Sequence, residues 1–386
     1  MTKKEFLTIL GISMIFALRM VGVFMILPVL TIHAVSLQGV NGSLIGIAIG
    51  IYGLMQIMCQ LPFGLMSDKI GCKSVIVGGL VLFILGSEIA ATTNNIWGVI
   101  TGRALQGSGA IGSVLIALLL DSVREQHHVK AMASVGMSVG IAFAASMVFG
   151  PIITDRFGLN GLFHSISILA ILAIVLTYII KPPISSHCAK NDENLFMIFD
   201  NIKQILTHSQ LIKLNVSIFF IHTILMLNLI VLPKTMINLG FPLSIHWEIY
   251  SVIMLISSVA VVACIFYSEG KNYAKKILIA CMSILFLSEL IMFINISYYK
   301  MFLLGMQLFF IAFSIIETIL PALINKEALK KYKGTTISIY SIGQFLGIGF
   351  GGIVGGFLLD MTGAWLVLFF SLIISFLCVI VSNTLH

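Results

Sequence analysis

Five ionisable side chains stand inside runs that are otherwise apolar: Arg19, Arg103, His222, Glu289 and Glu317. Charge within hydrocarbon is costly unless it is paired or wetted, so each is a candidate for handling a substrate or an ion. Glu317 has Phe313 and Pro321 one turn to either side, which lets its carboxyl meet a cavity without facing lipid. Histidine changes charge in the neutral range. Glu317, His222 and Glu289 are therefore the proton-coupling candidates. Arg19 and Arg103 remain charged when buried and read as fixed cations in the N-terminal half of a cavity, able to hold an anionic group or to lower the pKa of a nearby acid. Gln106 shares the face of Arg103, and Asn215 lies two turns before His222. Tyr340 and Gln344 complete the cavity candidates. Glu88 lies within a turn of a span end and reads as snorkelling outward. No acid comparable to Glu317 lies mid-span in the N-terminal half.

A second concentration of charge is GLMSDKIGCK, residues 64–73. It puts Asp68, Lys69 and Lys73 within six positions, beside Gly64 and Gly71, although only 10% of the chain is charged. The glycines suit a tight turn with close helix approach. Asp68 suits the start of the following helix or the positive end of a neighbouring one. Asp121 lies 18 residues after Arg103. On a continuous helix that is five full turns, which puts both on one face.

Helices must position these groups. Of 386 residues, 59% are hydrophobic, whereas a soluble domain carries charge on roughly a quarter of its residues. Apolar runs of about twenty residues recur along the whole length, each able to cross a hydrocarbon core as a helix. Backbone groups in lipid must be satisfied within such a segment. The fold class is an all-α polytopic membrane protein with twelve spans, at 6–32, 43–63, 74–91, 96–119, 131–152, 160–180, 211–233, 247–267, 275–295, 301–324, 335–358 and 364–383. The first follows MTKKEF without a small-residue cleavage site and reads as a retained helix. Of the 22 Lys and Arg, 17 fall at the N-terminus and in the even-numbered loops, 3 on the opposite side, and Arg19 and Arg103 inside spans. Both termini are therefore expected in the cytoplasm.

The longest connection, 181–210, opens with KPPISS and continues as LFMIFDNIKQIL. Leu195, Phe199, Ile202 and Leu206 recur there at helical spacing, the pattern of an amphipathic helix on the membrane surface. It divides the chain into six-helix bundles over 1–180 and 211–386. KAMASVGMSVG (130–140) matches KGTTISIYSIG (333–343) in its small and polar residues. Span five carries Gly140, Gly150 and Pro151; span eleven carries Gly343, Gly347 and Gly351 at every fourth position. Small residues so spaced let backbones approach closely, here at an expected sliding face between the halves. Parallel six-span repeats are the plan of a large transporter class.

These residues resemble the major facilitator superfamily. GLMSDKIGCK is similar to its G-x-L-x-D-R-x-G-R-K signature between spans two and three. GRALQGSGAIGS (102–113) is similar to its R-x-x-Q-G motif in span four, and GIAFAASMVFGPIIT (140–154) to the G-P motif of its drug/proton antiporters. The resemblance implies alternating access, with Gly64, Asp68, Lys69, Gly71, Lys73 and Asp121 as gating residues. It gives Asp68 the role of tying the halves together on the cytoplasmic side. The sequence departs at Cys72, where the family has a second basic residue. A thiol cannot bridge two carboxylates as a guanidinium does, and Lys73 points about 100° away on a helix. Members nearest in these motifs carry a further soluble domain after span twelve; here the chain is expected to end with that span, at His386.

The expected function is proton-coupled efflux of a small amphiphilic or drug-like molecule. Symport or uniport of a small nutrient, or a non-transporting sensor on the same fold, are the alternatives. No P-loop is present, so a gradient is the expected drive. His222 and Glu317 each stand alone on their spans, without the paired groups an intramembrane enzyme needs. The six cysteines show neither metal spacing nor a disulfide framework, and no cofactor or metal is expected. The net charge of +7 is accounted for by topology and calls for no nucleic-acid partner. The expected partners are a small-molecule substrate, protons and the lipid bilayer. The expected form is a monomer in a bacterial inner membrane.

Overall fold

Residues 1–180, 207–268, 274–327 and 333–385 are described by a computed structural model. Among them there is no strand, only a bridge between Gln38 and Asn95. Three of the helices start where polar side chains satisfy free N–H groups. Thr2 and Glu5 form a reciprocal capping box before Lys3–Phe24. The Asn41 side chain accepts from the Leu44 N–H at 2.7 Å as Gly42–Ile70 begins, and Asn95 accepts from the Trp97 N–H at 2.9 Å at the start of Ile96–Ser108.

Among the described residues, eleven helical segments are long and apolar enough to cross a membrane. The helix His128–Ile179 is two spans in one: its 52 residues break at Gly158, φ 68° and ψ −175°, a backbone conformation open to glycine. Twelve spans result. Spans one, two and four differ from expectation: the first helix ends at Phe24 rather than at 32. The second helix runs through Ile70, so most of the expected 64–73 turn is helical. Gly71 alone, φ 87°, separates it from the third helix, Cys72–Thr92. Asp68 thus ends span two rather than starting span three. Span four is not continuous: it breaks between Ile96–Ser108 and Gly112–Asp121. The five-turn alignment of Arg103 with Asp121 therefore fails.

The chain divides into two compact units, Met1–Asp192 and Glu193–His386. Their boundary falls inside 181–210; the expected amphipathic helix lies outside the described residues. In the first unit Ile12 and Ile15 of span one, Ile76 and Leu80 of span three and Leu115 and Leu119 of span four share a buried core. Lipid tails are as apolar as these side chains, so close van der Waals packing holds the helices together. Spans three and four touch through glycine: a methyl on Gly86 would sit 2.5 Å from the Gly102 carbonyl oxygen. Gly150, in span five, is held as closely to the Met25 carbonyl after span one, at 2.5 Å. Arg124 donates to both Glu5 carboxylate oxygens, at 2.8 and 3.1 Å. These hydrogen bonds raise the Arg124 pKa and fasten the start of span one to the loop after span four.

In the second unit, span seven (Ser209–Asn238) is central: every residue from Ile221 through Pro233 is buried. Span eleven (Lys333–Thr362) lies directly on it. A methyl on Gly347 would collide with the Phe219 carbonyl oxygen, and one on Gly351 would come within 2.7 Å of that of Thr223. The Gly343–Gly347–Gly351 stripe, expected at a face between the halves, is packed instead against span seven of its own unit. Gly140 has nothing within 4 Å of an added methyl. Val252, Leu255, Val259 and Val262 of span eight (His246–Ser268) are exposed, the face a bilayer would cover.

Candidate functional site

The second unit gathers four of the expected residues in one place. Span seven supplies His222, span ten (Tyr299–Glu327) Glu317, and span eleven Gln344 and Tyr340. The close approach of spans seven and eleven, which Gly347 permits, brings the Gln344 side chain to His222. The Gln344 amide nitrogen lies 2.9 Å from His222 Nε2 and donates to Glu317 Oε1 at 3.2 Å. His222 Nδ1 lies 3.2 Å from the Ile218 carbonyl oxygen and donates to it. The arrangement is that of a neutral imidazole with its proton on Nδ1, since Nε2 accepts from the amide.

Glu317 Oε2 stands 3.7 Å from His222 Nε2 and has no hydrogen bond; the Tyr340 hydroxyl is likewise buried without one. The His222 side chain is 4% exposed and that of Glu317 25%, so the pair has a buried end and an open end. The Phe313 ring, one turn before Glu317, meets the imidazole edge-on at 5.9 Å between centroids. A proton arriving at Nε2 would leave two donors, imidazolium and amide, facing each other. Glu317 Oε2 is the acceptor within reach. The cluster can thus exist in two hydrogen-bonding states that differ by one proton.

The other expected residues of this unit lie apart. Asn215 donates to its own helix at the Leu211 carbonyl, 2.8 Å away. Glu289 of span nine (Ala274–Ile294) is fully buried, and its Oε1 accepts from Asn228 at 2.6 Å. Asn228 is six residues beyond His222, about 240° further around span seven. Ser371 stands beside the Glu289 carboxylate, and Asn228 Oδ1 is buried there without a hydrogen bond.

In the first unit both intramembrane arginines are 1% exposed. Arg103 donates to Gln106 Oε1 at 2.7 Å and to the Ala48 carbonyl at 3.4 Å, and its guanidinium lies 4.7 Å from the centre of the Tyr52 ring. Gln106 passes the network on to Ser87 at 2.7 Å. Arg19 Nη2 donates to the Tyr52 hydroxyl at 3.3 Å, Gln56 Oε1 at 2.8 Å and the Gly109 carbonyl at 3.0 Å. Tyr52 therefore links both cations, by its ring face and by its hydroxyl. Tyr52 and Gln56 escaped the sequence reading, although their four-residue spacing marks one face of span two. Glu88 meets His164 at 3.0 Å among exposed side chains, as outward snorkelling requires.

The gating stretch is only partly assembled. Asp68 and Lys69 are exposed, and no atom comes within 4 Å of a methyl added at Gly64 or Gly71; the close helix approach expected at those glycines is absent among the described residues. Lys73 donates to the Ile180 carbonyl oxygen at the end of span six. Asp121 ends the second segment of span four. Cys72 is 5% exposed and packs in the unit's apolar core. A guanidinium at that position would enter the core rather than bridge surface carboxylates.

Similarity to known proteins agrees with this architecture. The profile of the Major Facilitator Superfamily matches residues 12–269. The chain is 45% identical to the Inner membrane transport protein YajR of Escherichia coli (strain K12), over 94% of this chain and 79% of that protein. It is 42% identical to an uncharacterized transporter of Buchnera aphidicola subsp. Baizongia pistaciae (strain Bp), over 97% and 95%. Among solved structures, the nucleoside transporter NupG superposes with a TM-score of 0.76 at 12% identity, covering 98% of this chain and all of that one. A bacterial homolog of the human lysosomal transporter Spinster reaches 0.73 at 11% identity, covering 99% and 97%. The protein is a multi-pass membrane transporter, and the chain belongs to the major facilitator superfamily.

Proposed function

We propose that this secondary transporter couples efflux of a small amphiphilic molecule to proton entry, using the His222–Gln344–Glu317 cluster as the proton site. The observation that carries the reading is the single amide bridging an imidazole and a carboxylate whose free oxygen lies 3.7 Å away. Taking up a proton exchanges the amide for the carboxylate as partner of His222. That changes how span seven is tied to spans ten and eleven. A ligand drives an alternating equilibrium only by its differential affinity for the two states, and a proton that reorders bonds among three spans has such a differential. Antiport follows if substrate and proton favour opposite states.

The charge distribution supports an inner-membrane protein with both termini in the cytoplasm. The test is flux in proteoliposomes under an imposed pH gradient across a panel of amphiphilic compounds. Proton release on substrate addition, lost in Glu317→Gln, is the expected outcome. Substrate flux that collapses its own gradient without moving protons would replace antiport by uniport, and proton movement in the same direction as substrate would replace it by symport.

A further inference from the structure

The break in span four creates a second feature, independent of the proton cluster. A helix interrupted inside a membrane leaves backbone groups that neither lipid nor the helix itself can satisfy. Tight turns close part of the gap: Gly109 N–H donates to the Gln106 carbonyl at 3.3 Å, Ala110 N–H to that of Ser108 at 2.8 Å and Ile111 N–H to that of Gly109 at 2.9 Å. On the other side of the break, the N–H groups that open Gly112–Asp121, those of Gly112, Ser113 and Val114, have no acceptor among the described residues. This ten-residue segment presents the positive end of its dipole to the gap.

Arg19 reaches the same gap. Its Nη2 takes the freed Gly109 carbonyl at 3.0 Å, while Nη1 lies 3.9 Å from where a methyl on Gly112 would stand. Nη1 and Nε are buried and unpartnered, as is the Ser113 hydroxyl. Among the described residues no carboxylate pairs with Arg19; the acids of this unit sit at span ends. A buried cation without a counter-charge is strongly unfavourable. The free side-chain groups at the gap, Arg19 Nη1 and Nε and the Ser113 hydroxyl, can all donate, as can the three N–H groups, and of these only the hydroxyl can also accept. A surround of donors with net positive charge is complementary to an anion.

We infer that Arg19, Ser113 and the N-terminus of Gly112–Asp121 form a binding site for the anionic head of the transported molecule, which makes the substrate class an organic anion. The inference rests on the transporter reading for the word substrate, but the site's affinity for an anion does not depend on proton coupling. A carboxylate would accept from the guanidinium and from the segment's first N–H groups. Release requires only that the two halves of span four, or span one, move apart in the other state.

The purified protein in detergent tests this through thermal unfolding with benzoate, with the neutral isostere benzamide, and with dioleoylphosphatidylglycerol as a headgroup anion. Benzoate is expected to raise the unfolding temperature and benzamide to leave it unchanged. Arg19→Gln is expected to weaken benzoate binding about ten-fold or more, the loss of one charge-assisted bond. Arg19→Lys should restore part of that affinity. If the arginine variants do not fold, Ser113→Ala serves in their place, with a loss of a few-fold. Equal stabilisation by benzoate and benzamide would overturn the proposal, as would unchanged benzoate affinity in Arg19→Gln or, where only it folds, in Ser113→Ala. Stabilisation by the phospholipid alone, lost in Arg19→Gln, would make this a lipid-headgroup site and also overturn the assignment to substrate. Because binding is read without a gradient, benzoate binding in a protein that moves no protons would sink the coupling reading and leave the anion site standing.

Discussion

His222 and Glu317 approach to 3.7 Å from two different spans, with the Gln344 amide bonded to both. Removing the ability of the carboxyl to ionise should uncouple the transporter. Glu317→Gln is expected to abolish substrate accumulation or expulsion driven by a pH gradient, while exchange of labelled for unlabelled substrate at equal pH continues. Gradient-driven transport at normal rates in this variant would make Glu317 a packing residue.

Gln344→Leu removes the shared donor without touching either titrating group. His222 Nε2 and Glu317 Oε1 each lose a hydrogen bond, worth about 1 kcal/mol or more in a buried setting. Transport should persist with a displaced pH optimum, and Gln344→Glu should displace it further by adding a second carboxyl. A pH profile unchanged in both variants would exclude the amide from the proton site.

Glu289 gives the contrasting case. Its bond from Asn228 at 2.6 Å binds span nine to span seven away from the proton cluster. Glu289→Gln is expected to retain gradient-driven transport, while Glu289→Leu, which leaves Asn228 buried without its acceptor, should lower thermal stability by about 1–3 kcal/mol. Loss of proton coupling in Glu289→Gln with binding intact would move the proton site to span nine.

The packing of span eleven on span seven predicts steep sensitivity at Gly347. Gly347→Ala drives a methyl into the Phe219 carbonyl and within 2.9 Å of His222 Cβ, costing about 1–3 kcal/mol of overpacking. Gly140→Ala, where nothing lies within 4 Å, should be neutral. Equal unfolding temperatures for the two variants would refute the close approach.

At the gating stretch, Asp68→Asn is expected to slow transport strongly while leaving substrate affinity within a few-fold. Cys72→Arg should lower stability rather than reinforce a charge relay, because the position is 5% exposed among apolar side chains and an unpaired buried charge is costly. A Cys72→Arg protein with unchanged unfolding temperature and enhanced transport would restore the relay reading.

The sequence alone determined the number of spans and the short roster of suspicious residues, and for one reason: hydrocarbon tolerates long apolar helices and little else. That rule reads locally, so Arg19, Arg103, His222, Glu289 and Glu317 stood out without any knowledge of neighbours. Tertiary structure decided which of them meet. No periodicity links His222, Glu317 and Gln344, which stand on three spans, and Gln344 reaches His222 because Gly347 lets span eleven lie against span seven. The break in span four shows the same limit. Glycines crowd GRALQGSGAIGS, yet an apolar run reads as one helix until its backbone bonds are traced, and the alignment of Arg103 with Asp121 was lost there. Gly71 sent the stretch around it the other way, into two helices with a single residue between them. Cys72 looked like a missing surface cation. It is a core residue, because the face of a helix that points inward is fixed by what packs on it.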